Sequence, residues 1–142
     1  LKKILKQVQD DVLSHTNSNM SDQPTLYDQI GETHILKLVD DFYEGVEEDE
    51  LIRKLYPKDL EPAKDRLKLF LVQALGGPTT YSEQRGHPML RRRHFQWKIG
   101  EEQATHWLQH MHKALEKATF SEELKDAFWN YVYKAALHMI NQ

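Results

Sequence analysis

The chain predicts an all-α fold, and three observations carry that expectation. Apolar residues recur at helical spacing in successive segments, and no segment alternates with the period of two that marks a half-buried strand. The five prolines and six glycines nearly all fall between those segments. At 142 residues the chain has the size of one domain, since domains run from roughly 100 to 200 residues and such a length buries a real core.

The elements follow in order. Leu1 to Leu13 puts Leu1, Leu5, Val8 and Val12 on one face, with lysines and acids elsewhere, and then gives way to the polar, helix-breaking stretch SHTNSNMSDQP. Residues 1–24 read as an appended amphipathic helix and linker, and residues 25–142 as the main domain. A lone helix of that length is marginal in water, so it is expected to dock, self-associate or fray. From TLYDQIG the pattern changes. Ile35, Leu38, Val39, Phe42, Tyr43 and Val46 form one stripe ending in EEDE, and a short apolar turn, LIRKLYP, stops at Pro57. Pro62 suits a first helical turn, and Ala63, Leu67, Phe70, Leu71 and Ala74 continue a stripe that LGGP closes. Thr79 to Gly100 is too rich in Gly, Pro, Arg and His for a long amphipathic helix, and reads as loop with one helical turn near Leu90 to His94. Ala104, Trp107, Leu108, Met111 and Leu115 form the next stripe. FSEELKDAFWNYVYKAALHMI forms the last, with Ser121 as N-cap and acids in the first turn, where the helix dipole favours them.

Composition excludes several functions. A net charge of −3 with 29% charged residues gives no basic field for nucleic acid. Absence of cysteine removes disulfides, thiolate zinc sites, iron–sulfur clusters and thioether attachment of haem. No apolar run approaches the roughly 20 residues that span a bilayer, and the N-terminus lacks the apolar core of a signal peptide. The expectation is a cytoplasmic protein without membrane or nucleic-acid partners. P-loop, dinucleotide and nucleophile-elbow motifs do not occur.

Among the eight histidines, His15, His34 and His138 have no partner at a diagnostic spacing. His106 and His110 stand one helical turn apart, a zinc-ligand spacing. They lack an accompanying glutamate and share a face with Lys113 and Lys117, so a solvated face is the better reading. The segment GHPMLRRRHFQW places His94 after three arginines and before two aromatics. An arginine triplet without interleaved aromatics is weak evidence for nucleic acid, whereas arginine readily forks onto carboxylates. Tyr43, Tyr56 and Trp107 sit among apolar neighbours. Each taken singly reads as core.

The motifs LYDQIGE, DDFYEGV, LYPKDL, RLKLFLVQALGGPTTYSEQRGHPMLRRRHFQWKIG and HWLQHMHKAL, in this order, resemble the group II truncated haemoglobins from Thr25 to Gln142. The resemblance implies two antiparallel helix pairs crossed in a two-over-two sandwich around one noncovalent haem b per chain. It assigns His94 as the proximal iron ligand, its other ring nitrogen oriented by an acceptor. Arg93, Arg66 and Tyr81 match positions that contact haem propionates, and Leu67, Phe70, Leu90, Phe95, Ile99 and Met111 would supply apolar walls. Arg91 and Arg92 would face solvent. On the opposite side Tyr43, Tyr56 and Trp107 match a distal polar cluster whose donors hold a partly charged dioxygen ligand. Ala63 stands where larger globins often carry a distal histidine, and Leu67 is apolar in place of an amide. The resemblance therefore implies slow oxygen release, with carbon monoxide gaining less from the same donors. It points to scavenging, redox or sensing more than bulk transport.

Other readings stay open at this level. A haem peroxidase or nitric oxide dioxygenase would use the same iron with an external reductant or reductase partner, although no histidine aligns as a distal base. A helical interaction module with a His106/His110 metal clip would need no haem. The expected assembly is monomer or homodimer. QAL before GGP and FQW after His94 depart from the group II pattern, which bears on tunnel shape and ligand kinetics.

Overall fold

Helix formation in the described part of the chain, residues 23–142 of a computed structural model, begins at Thr25. The appended helix expected over residues 1–13 lies outside the described residues. Thr25 caps α1 (Leu26–Ile30) reciprocally: its hydroxyl accepts from Asp28 N at 3.0 Å, and Asp28 Oδ2 accepts from Thr25 N at 3.1 Å. The first turn docks on the end of a later helix through Tyr27 N donating to Leu75 O at 2.8 Å. That approach explains the paired glycines of LGGP. A Cβ on Gly76 would lie 2.5 Å from Thr25 Cβ, and one on Gly77 would lie 2.7 Å from the Tyr27 ring.

The long helix α2 (Glu32–Glu47) buries all six residues of the stripe read from sequence, Ile35, Leu38, Val39, Phe42, Tyr43 and Val46. Asp49 caps the short α3 (Glu50–Arg53), its Oδ1 accepting from Leu51 N at 2.9 Å and from Ile52 N at 3.4 Å. Arg53 then closes the turn at Pro57 by donating to Pro57 O and Lys58 O. With Pro62 in its first turn, α4 (Glu61–Ala74) starts where the sequence places it. A further helix, α5 (Thr80–Arg85), occupies sequence that reads as loop. Its reason is tertiary: Gln73 of α4 accepts from Ser82 N at 2.9 Å and donates to Ser82 Oγ at 2.7 Å, pinning a six-residue turn that propensity alone would not hold. The turn expected near Leu90 is α6 (Leu90–Arg93). Two long helices complete the chain, α7 (Glu101–Lys117) and α8 (Glu122–Met139), the latter capped by Ser121 Oγ accepting from Leu124 N at 3.3 Å.

Packing is two-layered. α2 packs on α4 and on α7, and α7 packs on α8, while α1 and α6 both touch α8. The seam between layers holds Phe42, Ile35, Leu38, Leu71, Met111, Phe128 and Val132, all nearly without exposure. Each such side chain stabilises the fold by about 1.5–3 kcal/mol relative to exposure. No strand occurs among the described residues, so the all-α expectation holds. α4 differs from α2 in one respect that matters: Ala63 and Leu71 of its stripe are buried, but Leu67 and Phe70 are only partly so. Those two face a cavity.

Candidate functional site

The cavity lies among α4, α5, α6, α7 and α8 and holds about 560 Å³. That falls inside the roughly 300–1,000 Å³ typical of small-molecule and cofactor sites. A second cleft beside His34 and Lys117 offers about 30 Å³, room for a single water.

One wall is the segment that carries His94. Met89 enters it at φ 39°, the one non-glycine residue in the left-handed region among those described, a conformation costing roughly 1–2 kcal/mol. α6 follows for four residues, and His94 is its C-cap. The His94 Nδ1 lies 2.6 Å from Leu90 O. A carbonyl only accepts, so Nδ1 is the donor, and in the neutral ring this leaves Nε2 with its lone pair on a ring that lines the cavity. Arg93 beside it donates through Nη2 to Arg85 O at 2.7 Å and His87 O at 3.2 Å, and its guanidinium lies 5.9 Å from the Tyr81 ring centroid. Its Nε is buried without a partner. An unpaired buried donor costs about 1–3 kcal/mol, and a carboxylate entering the cavity would satisfy it. Arg66 and Tyr81 share that lining.

Another part of the lining is aromatic. Tyr43 and Tyr56 meet edge to face at 5.7 Å, and Phe42 packs at 5.0 Å against both Tyr43 and Trp107. Tyr43, Tyr56 and Trp107 all line the cavity. Burial pushes the Tyr56 phenol up to about 12, which its neighbours Tyr43 and Trp107 only partly offset. Tyr43 is driven higher still, by burial first and by Tyr56 second. Both phenols therefore keep their protons across the physiological range. Tyr56 thus lines the cavity with a hydroxyl proton to donate. Ala63, Leu67 and Phe70 complete this side as apolar surface.

Of the residues named from sequence, Leu90 and Ile99 also line the cavity, but two do not. Phe95 is 57% exposed beneath Arg91, whose guanidinium sits 5.4 Å from its ring centroid. It follows His94 by one position at a helical C-cap, so the two side chains diverge. Trp97 supplies the apolar wall instead, its ring 5.6 Å from that of His94. Met111 is buried in the seam with Phe42 and Phe128 and does not reach the cavity. Sequence reading passed over the α8 contribution, Tyr131, Val132, Ala136 and Met139. The apolar stripe of α8 was visible, but nothing local said that a cavity faced it. Arg91 and Arg92 are exposed, as anticipated.

The chain matches the bacterial-like globin family over residues 25–141. It belongs to that family. Group 2 truncated hemoglobin YjbI of Bacillus subtilis is 40% identical over 116 residues, covering 82% of this chain and 88% of the relative. The hemoglobin of Chloroflexus aurantiacus superposes with a TM-score of 0.81 at 47% identity, covering 84% of this chain and 100% of that one. The truncated oxygen-avid haemoglobin of Bacillus subtilis superposes with a TM-score of 0.79 at 38% identity over 82% and 99% of the two chains. The fold is thus the two-over-two sandwich of truncated globins, with α2 and α4 as one pair and α7 and α8 as the other. Globins of this family hold one noncovalent haem b per chain and bind diatomic gases such as dioxygen. The unpartnered Arg93 Nε and the lone-pair nitrogen of His94, on one side of a cavity of this volume, fit that group.

One feature of this globin corrects the sequence reading. His106 and His110 do not form a solvated face. His106 Nδ1 and His110 Nε2 both donate to Asp49 Oδ2, at 2.8 and 2.6 Å, and the His110 side chain is 13% exposed. Gly45 makes room: a Cβ there would stand 2.4 Å from His110 Nδ1. Asp49 resists ionisation through burial, but hydrogen bonds from His110, His106 and the Leu51 and Ile52 amides prevail and hold its carboxyl down at about 2. The pair thus ties α7 to the start of α3. Among the described residues no group of three or more His, Asp or Glu side chains is arranged to hold a metal ion, and no helix is long and apolar enough to cross a membrane.

Proposed function

We propose that this globin binds dioxygen reversibly and releases it slowly, with His94 Nε2 as the iron ligand and Tyr56 as the principal distal donor. Haem supplies, when bound, the coordination position that a diatomic gas takes. The protein supplies everything that discriminates among gases. His94 holds its side from a ring whose tautomer Leu90 O fixes. Arg93, Arg66 and Tyr81 hold the propionate edge. Tyr56 offers its hydroxyl proton to the guest, with Tyr43 and Trp107 beside it in the lining.

The single observation that carries this reading is that Tyr43, Tyr56 and Trp107 line the same cavity as His94, the two phenol rings 5.7 Å apart. Phenol and indole groups are hydrogen-bond donors, and a ligand bearing partial negative charge takes such a proton. Such a hydrogen bond is worth about 1.5–3 kcal/mol, or roughly ten- to a hundredfold in equilibrium. Carbon monoxide, with less charge on its outer atom, gains less. The kinship with an oxygen-avid relative supports the same reading. Slow release suits scavenging, redox or sensing roles better than bulk delivery.

Stopped-flow measurement of ferrous oxygen dissociation tests it. Tyr56→Phe is expected to raise the off-rate roughly ten- to a hundredfold while changing carbon monoxide release much less. Equal changes for the two gases, or none, would remove Tyr56 from the role.

A further inference from the structure

We propose that Asn141 is a positioning residue for His94, a clasp that closes the segment between the proximal histidine and α7. The proposal rests on the reading of His94 as iron ligand. Its own observation is separate.

The loop from 94 to 99 has little regular structure of its own. Within it, Phe95 N reaches Arg92 O and Trp97 N reaches His94 O, which leaves other peptide groups of a partly buried loop in need of partners. Asn141, just beyond the end of α8, provides them. Its backbone N–H donates to Ile99 O at 2.8 Å, and its Oδ1 accepts from Ile99 N at 3.0 Å. Its Nδ2 donates to Trp97 O at 2.9 Å and to His94 O at 3.3 Å. A carboxamide is suited to this because it carries two N–H donors and an acceptor on one small plane. Aspartate has the same shape but would set an anionic oxygen against two carbonyls. A second tie runs parallel, from Arg91 Nη2 to Ile140 O at 3.4 Å.

His94 is consequently held from two directions. Leu90 O fixes the ring through Nδ1, and Asn141 fixes the backbone through the His94 carbonyl. The distance and rotation of Nε2 relative to the cavity depend on both. Partners of this kind, one bond removed from a metal ligand, typically change metal affinity by about 10–100-fold when lost. The arrangement is long-range in sequence, Asn141 lying 47 positions after His94, and no local motif announces it.

Asn141→Ala in the haem-loaded protein is expected to speed haem loss to excess apomyoglobin roughly tenfold. It should also shift and broaden the iron–histidine stretching band of the ferrous, ligand-free form. Asn141→Asp should do the same despite its size. Ser121→Ala, which removes the α8 cap elsewhere, should lower thermal stability and leave the band where it was. An unchanged band and unchanged haem loss in Asn141→Ala would overturn the clasp, as would an equal spectral change in Ser121→Ala. Hydrogen exchange of the Ile99 amide, which donates to Asn141 Oδ1, reports on the clasp independently of haem. A chain that takes no haem defeats the reading of His94, yet Ile99 protection lost on Asn141→Ala still supports the clasp, and protection retained defeats it.

Discussion

The aromatic part of the cavity lining and the part that carries His94 are built differently. Tyr43 and Trp107 hang from α2 and α7, helices of 16 and 17 residues, and the wall coheres through ring contacts. His94 follows α6, a helix of four residues entered through a left-handed methionine. That wall coheres through side chains bonded to backbone carbonyls: His94 to Leu90, Arg93 to Arg85 and His87, and Asn141 to Trp97. A packed aromatic cluster fixes where donors point to within a rotamer. A strapped loop lets a bulky, flat group be seated before its ligand is locked. The aromatic part is held by packing, and the His94 part by individual hydrogen bonds.

Four substitutions break or sharpen that contrast. His94→Ala has the largest expected effect, a loss of haem affinity beyond roughly a hundredfold, because nothing else on the proximal wall offers a lone-pair nitrogen. His106→Ala, on the far side of α7 and engaged with Asp49, should retain haem, and absorption spectra of both after haemin addition compare them. Trp107→Phe comes next. It removes the indole donor from the cavity lining and should raise the oxygen off-rate about three- to tenfold, less than Tyr56→Phe, because the Tyr56 hydroxyl remains. An effect exceeding that of Tyr56→Phe would move the principal donor to Trp107. The smallest expected effect is that of Asp49→Asn, which loosens α3 from α7 without touching the cavity. The Asp49 carboxyl is depressed from 3.8 to about 2, so its contribution is complete above about pH 4 and is lost as pH falls through 2. Melting temperatures of wild type and Asp49→Asn should differ by roughly 4 °C at pH 6, and the gap should close near pH 2. A gap that persists in acid would show that the charge is not the source.

The legible and illegible parts of this molecule follow the same division. The stripe of α2 declared both a helix and a core, since each of its residues is buried by the partner that helical periodicity implies. The order of motifs around GGP and LRRRH carried the family, and with it most of the lining. Phe95 and Met111 were misassigned because apolar character says that a residue avoids water, not which of two apolar environments receives it. α5 was missed because Gln73 creates it from another helix. The Asp49 tie to His106 and His110 spans 57 and 61 residues. The helical spacing of the two histidines was visible, but their shared acceptor was not. Asn141 is the same case. Polar contacts across the fold leave no periodic trace, whereas apolar packing does.

Titration of the purified apoprotein with haemin, followed through the Soret band, tests the central claim most directly. Wild type should saturate sharply at one equivalent, and the reduced form should then bind dioxygen and hold it. A preparation that stays colourless through the titration, or one in which His94→Ala saturates as sharply as wild type, would contradict the account.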